Sequence, residues 1–166
     1  METIHWFHFS HGEQSFHLAA TPRGLCHLSL PGEPYHTLEL WVNRHTDGAS
    51  LVEDKKALHP YWMQLEEYLN GSRTAFTFSV DLKGTPFQRA VWRELLTIPH
   101  GATRSYSDVA AAIGRPRAVR AVGAANRQNP VPIVIPCHRV VGKDGRLVGY
   151  RGGMALKKQL LLLESG

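Results

Sequence analysis

The chain has 166 residues and a formal net charge of +5, and its 43% apolar content suits one ordinary packed domain or two small lobes. No apolar run approaches the roughly 20 residues that span a bilayer, and the N-terminus lacks a signal peptide's basic and apolar regions, so a cytoplasmic protein without a membrane partner is expected. Only two cysteines are present, Cys26 and Cys137, which excludes a disulfide framework.

The charge is unevenly spread. Residues 1–82 hold 5 Lys/Arg against 10 Asp/Glu, whereas residues 83–166 hold 14 against 4. A solvated basic face would account for this, and so would a polyanion partner for the second half. The chain reads as an acidic lobe over 1–82 followed by a basic lobe over 83–166.

From Ile4 to Leu30 apolar and polar residues alternate, broken at His11-Gly12 and at Thr21-Pro22-Arg23-Gly24, the pattern of an antiparallel meander. Leu38 to Val42 suggests another strand, and Asp47 to Ser50 a polar break. A helical stretch is expected from about Leu51 to Leu69, with Leu58, Trp62, Leu65 and Leu69 at helical spacing and Asn70-Gly71 as its stop. Thr74 to Val80 alternates again. Eight histidines precede residue 82, but none forms a His-x-x-x-His pair on one helix and no Cys-x-x-Cys occurs, so no metal site is expected.

In the second lobe Thr85 is a natural N-cap with Pro86 at the first helical position, and Phe87, Val91, Leu95 and Ile98 share a core-facing side. Ser105 or Tyr106 leads into a short helix over Ser107 to Ile113, closed by Gly114. After Gly114-Arg115-Pro116 comes a basic helix of small residues, Arg117 to Arg127. Two helices joined by a tight glycine turn make a helix-turn-helix. The alanines and Gly123 would let the backbone approach a narrow groove with Arg120 as a projecting probe. Taken alone, the segment serves equally well as an alanine-rich packing helix with its arginines in solvent.

The run Pro130-Val131-Pro132-Ile133-Val134-Ile135-Pro136-Cys137-His138-Arg139 carries the chemistry. Each proline fixes φ and disfavours helix before it, so the run should be extended and stiff. A buried cysteine is ordinarily an inert small hydrophobe. A His-Arg pair directly after an apolar strand instead marks a strand emerging at a site, where His138 as an imidazolium, directly or through one water, would lower the thiol's pKa.

Ile135-Pro136-Cys137-His138-Arg139-Val140, preceded by Asn129-Pro130-Val131-Pro132 and by Arg120-Ala121-Val122-Gly123, resembles the O6-alkylguanine-DNA alkyltransferase family over about Thr85 to Glu164. The resemblance implies an α+β chain: an N-terminal ribonuclease-H-like α/β lobe, then a mainly helical lobe with a helix-turn-helix. It implies Cys137 as acceptor thiol, His138 as a base working through water, Glu164 as the carboxylate that orients the imidazole, Asn129 as hinge, and Tyr106 as a donor toward the guanine. Ser107, Ala118, Arg120, Ala121, Gly123 and Arg127 would face DNA, with Arg120 entering the stack. Val140, Tyr150 and Arg151 would form the base pocket, and Lys157 opens the last helix. Arg151 stands where several relatives carry a small residue. Some relatives bind zinc in the first lobe; with only Cys26 there, none is expected.

The implied activity is irreversible transfer of the alkyl group from O6-alkylguanine, and O4-alkylthymine, in double-stranded DNA to Cys137 after base flipping. It would use each monomer once and need no cofactor. A binding-only relative would lack the cysteine. A helix-turn-helix transcription factor would carry base-reading side chains where this helix has alanines. A cysteine peptidase would keep its Cys and His far apart in sequence.

Overall fold

Alternation at the N-terminus folds into two consecutive hairpins, β1 (Thr3–His11), β2 (Gln14–Thr21) and β3 (Gly24–Leu28), with the turns at the glycine-bearing breaks. The computed structural model describes residues 2–166, and the chain divides into two compact units, one ending at Lys83 and the other beginning at Gly84. In the first unit, β4 (Ser50–Glu53) adds to the sheet in parallel beside β1, giving the order β3-β2-β1-β4. Helix α1 (Tyr35–His45) supplies Leu38 and Val42 to a buried cluster with Ile4, Ala19 and Cys26. The opposite face meets α2 (His59–Leu69), whose Trp62 ring lies 6.0 Å from Phe7 and 5.8 Å from Phe9.

Three sequence expectations change here. Leu38 to Val42 lies within a helix, because Leu38 and Val42 are one turn apart and both reach the sheet. The stretch after Leu51 is strand before it is helix: β4 gains a partner in β1, and α2 starts only at His59, with a proline in its first turn. Thr74 to Val80 forms no ladder strand. It touches the sheet through one bridge, Leu25 to Val80, and its Phe76 and Phe78 pack on Tyr68 and Tyr61. The close approach of this segment demands Gly24: its φ is +145°, and a Cβ would stand 2.5 Å from the Ser79 carbonyl oxygen.

The second unit begins with α3 (Pro86–Leu95), held by a full capping box between Thr85 and Gln88. A second capping box, Ser105 with Asp108, starts α4 (Tyr106–Ala112), and Gly114 in the left-handed region ends it. Then comes α5 (Val119–Arg127). Helices α3, α4 and α5 pack on one another, with the fully buried Trp92 indole donating to the Ala125 carbonyl at 2.9 Å. Strands β5 (Arg104–Ser105) and β6 (Val140–Val141) pair in parallel, and α6 (Met154–Ser165) packs on the turn that precedes β6. This is the mixed α+β architecture expected, a sheet unit followed by a mainly helical one. Among the described residues no helix is long and apolar enough to cross a membrane.

Candidate active site

The segment between α5 and β6 is folded on itself rather than extended. Asn129 Oδ1 accepts from the Val131 amide at 2.9 Å while its Nδ2 donates to the Ile135 carbonyl at 2.8 Å, so one side chain pins both ends of a tight turn. The Ile135 amide closes that turn on Val131, at 2.9 Å. Ile133 takes φ of +76°, a conformation a β-branched residue adopts only when its surroundings force it. Pro136 then turns sharply, with the Cys137 amide bonding the Ile135 carbonyl at 2.7 Å, and Cys137–Arg139 form a single 3-10 turn. The run expected to be extended is thus bent, and the two hydrogen bonds of Asn129 decide its shape.

The Cys-His-Arg turn is buried. Cys137 is 4% exposed, His138 0% and Arg139 7%. The expected strand emerging at the surface is therefore replaced by a sealed turn. His138 Nε2–H donates to Glu164 Oε2 at 2.7 Å, across from the end of α6. Arg139, to which the sequence assigned no role of its own, grips the same carboxylate: Nε reaches Oε1 at 2.8 Å, Nη2 reaches Oε2 at 2.8 Å, and Nη1 donates to the Ile98 carbonyl at 2.7 Å. His138 Nδ1 has no hydrogen-bond partner among the described residues.

Around this turn lie the remaining polar groups. Lys157, fully buried on α6, donates to the carbonyls of Val140 at 2.6 Å and Val148 at 2.9 Å, tying β6 to the 142–150 loop. Asn126, on the buried stripe of α5, donates from Nδ2 to the Cys137 carbonyl at 3.3 Å. Tyr106 donates to the Val148 carbonyl at 3.3 Å. Arg151 Nη1 donates to the Asn129 carbonyl at 2.9 Å, which folds this long side chain back over the loop. Val140 is wholly buried and Tyr150 half-buried.

A groove of about 390 Å³ opens between α4, α5 and the 142–150 loop, lined by Tyr106, Arg120, Gly123, Arg127, Val148 and Gly149. Arg120, Ala121 and Arg127 are exposed on α5, Ser107 is exposed on α4, and Ala118 is the half-buried N-cap of α5. A Cβ at Gly123 would meet only Arg127 Nη1 at 3.6 Å and a Tyr106 ring carbon at 4.0 Å, so packing within the unit does not require a glycine there.

The 6-O-methylguanine DNA methyltransferase DNA binding domain matches residues 86–166, and the ribonuclease-like domain of the same family matches residues 14–82. The chain belongs to this methyltransferase family. An inducible methylated-DNA–protein-cysteine methyltransferase of Bacillus subtilis is 46% identical over 162 residues, covering 98% of this chain and 90% of that protein. The methylated-DNA–protein-cysteine methyltransferase of Methanosarcina barkeri is 44% identical, covering 89% of this chain and 88% of that one. A crystal structure of Mycobacterium tuberculosis OGT in complex with DNA superposes with a TM-score of 0.83 at 39% identity, over 97% of this chain and 92% of that one.

The electrostatics of this methyltransferase-family site differ from the sequence expectation in one respect. Burial pushes the Cys137 thiol up, against the opposing pull of an Asn129 hydrogen bond and the Arg151 and Lys157 charges. Burial likewise pulls His138 below the ordinary imidazole range; Glu164 works against this, and the Arg139 and Lys157 charges reinforce it. An imidazolium does not act on the resting thiol. Both directions favour the neutral forms at this site, thiol and imidazole. The Asn126 and Arg139 contacts were legible only in part: Asn126 sits four residues from Val122 on an apolar helical face, whereas nothing near Arg139 in sequence announces its partner in α6.

Proposed function

We propose that this protein repairs alkylated DNA by direct reversal, taking the alkyl group of O6-alkylguanine, and of O4-alkylthymine, onto Cys137 after the base is flipped from double-stranded DNA. The observation that carries this reading is the Cys137–His138–Glu164 arrangement beside a groove edged by Tyr106, Arg120 and Gly123.

The roles follow from the chemistry. Neutral His138, aimed by Glu164, accepts the thiol proton through its free Nδ1 by way of water. The thiolate attacks the adduct carbon; a sulfur–carbon bond forms as the carbon–oxygen bond breaks, and the electron pair leaves with the base. Tyr106 donates a hydrogen bond to the base as its negative charge builds. Buried Lys157 favours the thiolate during this step. Asn129 keeps the loop closed, while Val140, Tyr150 and Arg151 frame the base. Ser107, Ala118, Ala121 and Arg127 meet the DNA, and Arg120 fills the stack left by the flipped base. A thioether is not reversed by any group in the site, so each molecule acts once. The protein works as a cytoplasmic monomer without a cofactor, its first 82 residues supporting the reactive lobe over 83–166.

Intact-mass measurement after mixing with a duplex bearing O6-methylguanine tests this. The protein should gain the mass of one methylene, mapped to Cys137 and absent in Cys137→Ala; an unchanged wild-type mass, or a mark elsewhere, refutes it. Arg120→Ala should slow repair of the duplex more than reaction with free O6-benzylguanine, and equal losses would remove Arg120 from flipping.

A further inference from the structure

We propose that Lys157 is a positioning residue for alkyl transfer: its ammonium pins the Val148–Gly149 wall of the groove to β6, so that the wall keeps its place when the Tyr106 hydroxyl leaves it for the base. The inference rests on the function proposed above and adds a group that acts through the loop.

Three carbonyls converge on one nitrogen. Lys157 stands in the first turn of α6 with no exposed surface. Its Nζ donates to the Val140 carbonyl at 2.6 Å and to the Val148 carbonyl at 2.9 Å, with the Gly149 carbonyl at 3.5 Å. Val140 is wholly buried in β6, which pairs with β5, so that end of the bridge is fixed. The other end is not. Val148 and Gly149 are exposed, they line the groove, and Gly149 takes φ of +39° in a loop with no ladder partner among the described residues. The same Val148 carbonyl accepts from the Tyr106 hydroxyl at 3.3 Å. One carbonyl of the groove wall is thus held from two helices, by α6 through a short charged bond and by α4 through a longer neutral one.

The two holds differ in what the reaction does to them. A base that takes the Tyr106 proton as its hydrogen bond must take it from Val148, which removes the α4 hold just as the base arrives. Lys157 then carries the wall alone. Its charge is met by backbone carbonyls, and a wholly buried ammonium is costly to keep. A methionine would fill the same space without that cost, so packing does not explain a lysine here. What the ammonium adds is a bridge from a fixed strand to a loop that forms one side of the groove.

Single-turnover transfer from an O6-methylguanine duplex, measured over a range of DNA concentration, tests this together with native-state trypsin cleavage in wild type and Lys157→Met. The variant should lower the saturating rate at least about tenfold, the scale of a misplaced positioning contact, with the half-saturating DNA concentration within about twofold of wild type. That loss should remain at about pH 9, where thiolate is easier to form. Cleavage after Lys143 or Arg146, both exposed in the 142–150 loop, should become at least about tenfold faster, the worth of one charge-assisted bond, while the 19F signal of fluorotryptophan-labelled Trp92 stays that of the folded unit. An unchanged rate, unchanged cleavage, or a loss confined to DNA affinity would each overturn the proposal. So would a loss that vanishes at high pH, which would leave Lys157 with thiolate formation alone.

Should Lys157→Met not fold, the native lysine still decides the matter. With 15N-labelled lysine, the Lys157 ammonium should give a signal protected from solvent exchange, and in Cys137→Ala that signal should shift on binding the O6-methylguanine duplex. No protected signal, or one that the duplex leaves unmoved, refutes the pin. Absence of transfer in wild type would instead sink the function itself while the cleavage result stands, which separates the two failures.

Discussion

Replacing Arg139 with methionine isolates the part of the site that is electrostatically most exposed to error. In the folded protein the guanidinium makes two charge-assisted bonds to Glu164, at 2.8 Å each, and a third to Ile98, and the Glu164 side chain is only 1% exposed. Methionine keeps the apolar bulk but strips the buried carboxylate of both guanidinium bonds, while the His138 bond stays. Removing one partner from such a pair destabilises by about 3–5 kcal/mol. With a urea dependence of about 2 kcal/mol per molar, the unfolding midpoint should fall by roughly 1.5–2.5 M.

The loss should itself depend on pH. The Arg139 charge is among the influences that hold His138 low, so without it the imidazole gains protons more readily beside Glu164. Relative to wild type its folded-state pKa rises, and that gain stabilises the variant at low pH and is lost as pH climbs. The deficit at pH 6 should therefore be smaller than at pH 8. In wild type the sign is opposite: His138 is held low, so stability is retained above about pH 6.5 and declines as acid protonates the unfolded chain first. The only tryptophan of residues 84–166 is Trp92, whose 19F signal in fluorotryptophan-labelled protein reports this unit's unfolding. A midpoint shift under about 0.5 M, or equal deficits at the two pH values, would refute the account of the carboxylate as shared between arginine and histidine.

Gly123→Ala should raise stability by about 1 kcal/mol in urea unfolding, since the added methyl meets only ordinary contacts and a helix-interior glycine is replaced, while DNA affinity by fluorescence anisotropy falls as the methyl enters the groove. Thr85→Ala removes one half of the capping box on α3 and should lower stability by about 1 kcal/mol in urea unfolding, without touching the transfer rate. Iodoacetamide at neutral pH should label neither thiol quickly: Cys26 is pushed up to about 12 by burial and Cys137 is raised as well, so rapid labelling of either in the folded protein would contradict the burial described.

Much of the first unit is written locally. Trp6, His8 and Ser10 alternate with Phe7 and Phe9, and the glycines at 12 and 24 stand at the hairpin turns, so β1 to β3 need no distant information. Helix α1 was hidden because Leu38 and Val42 suit a short strand as well as one helical turn, and only the sheet they pack on decides. For β4, the partner in β1 lies more than 40 residues away, beyond any local pattern. At the site, Pro136-Cys137-His138 points to the candidate reactive residue, and α6 brings Glu164 to the histidine. The proline run misleads about its own shape, since the two hydrogen bonds of Asn129 bend what the prolines alone would leave straight. Arg139 looks like a surface cation because its countercharge stands 25 residues further on.

The sealing of Cys137 also bears on how long the protein keeps. A molecule consumed in a single event is squandered whenever a stray peroxide or small electrophile reaches the sulfur first. With the thiol almost wholly covered and its pKa raised by burial, such encounters should be slow, and on the function proposed the unused stock is kept for the flipped base.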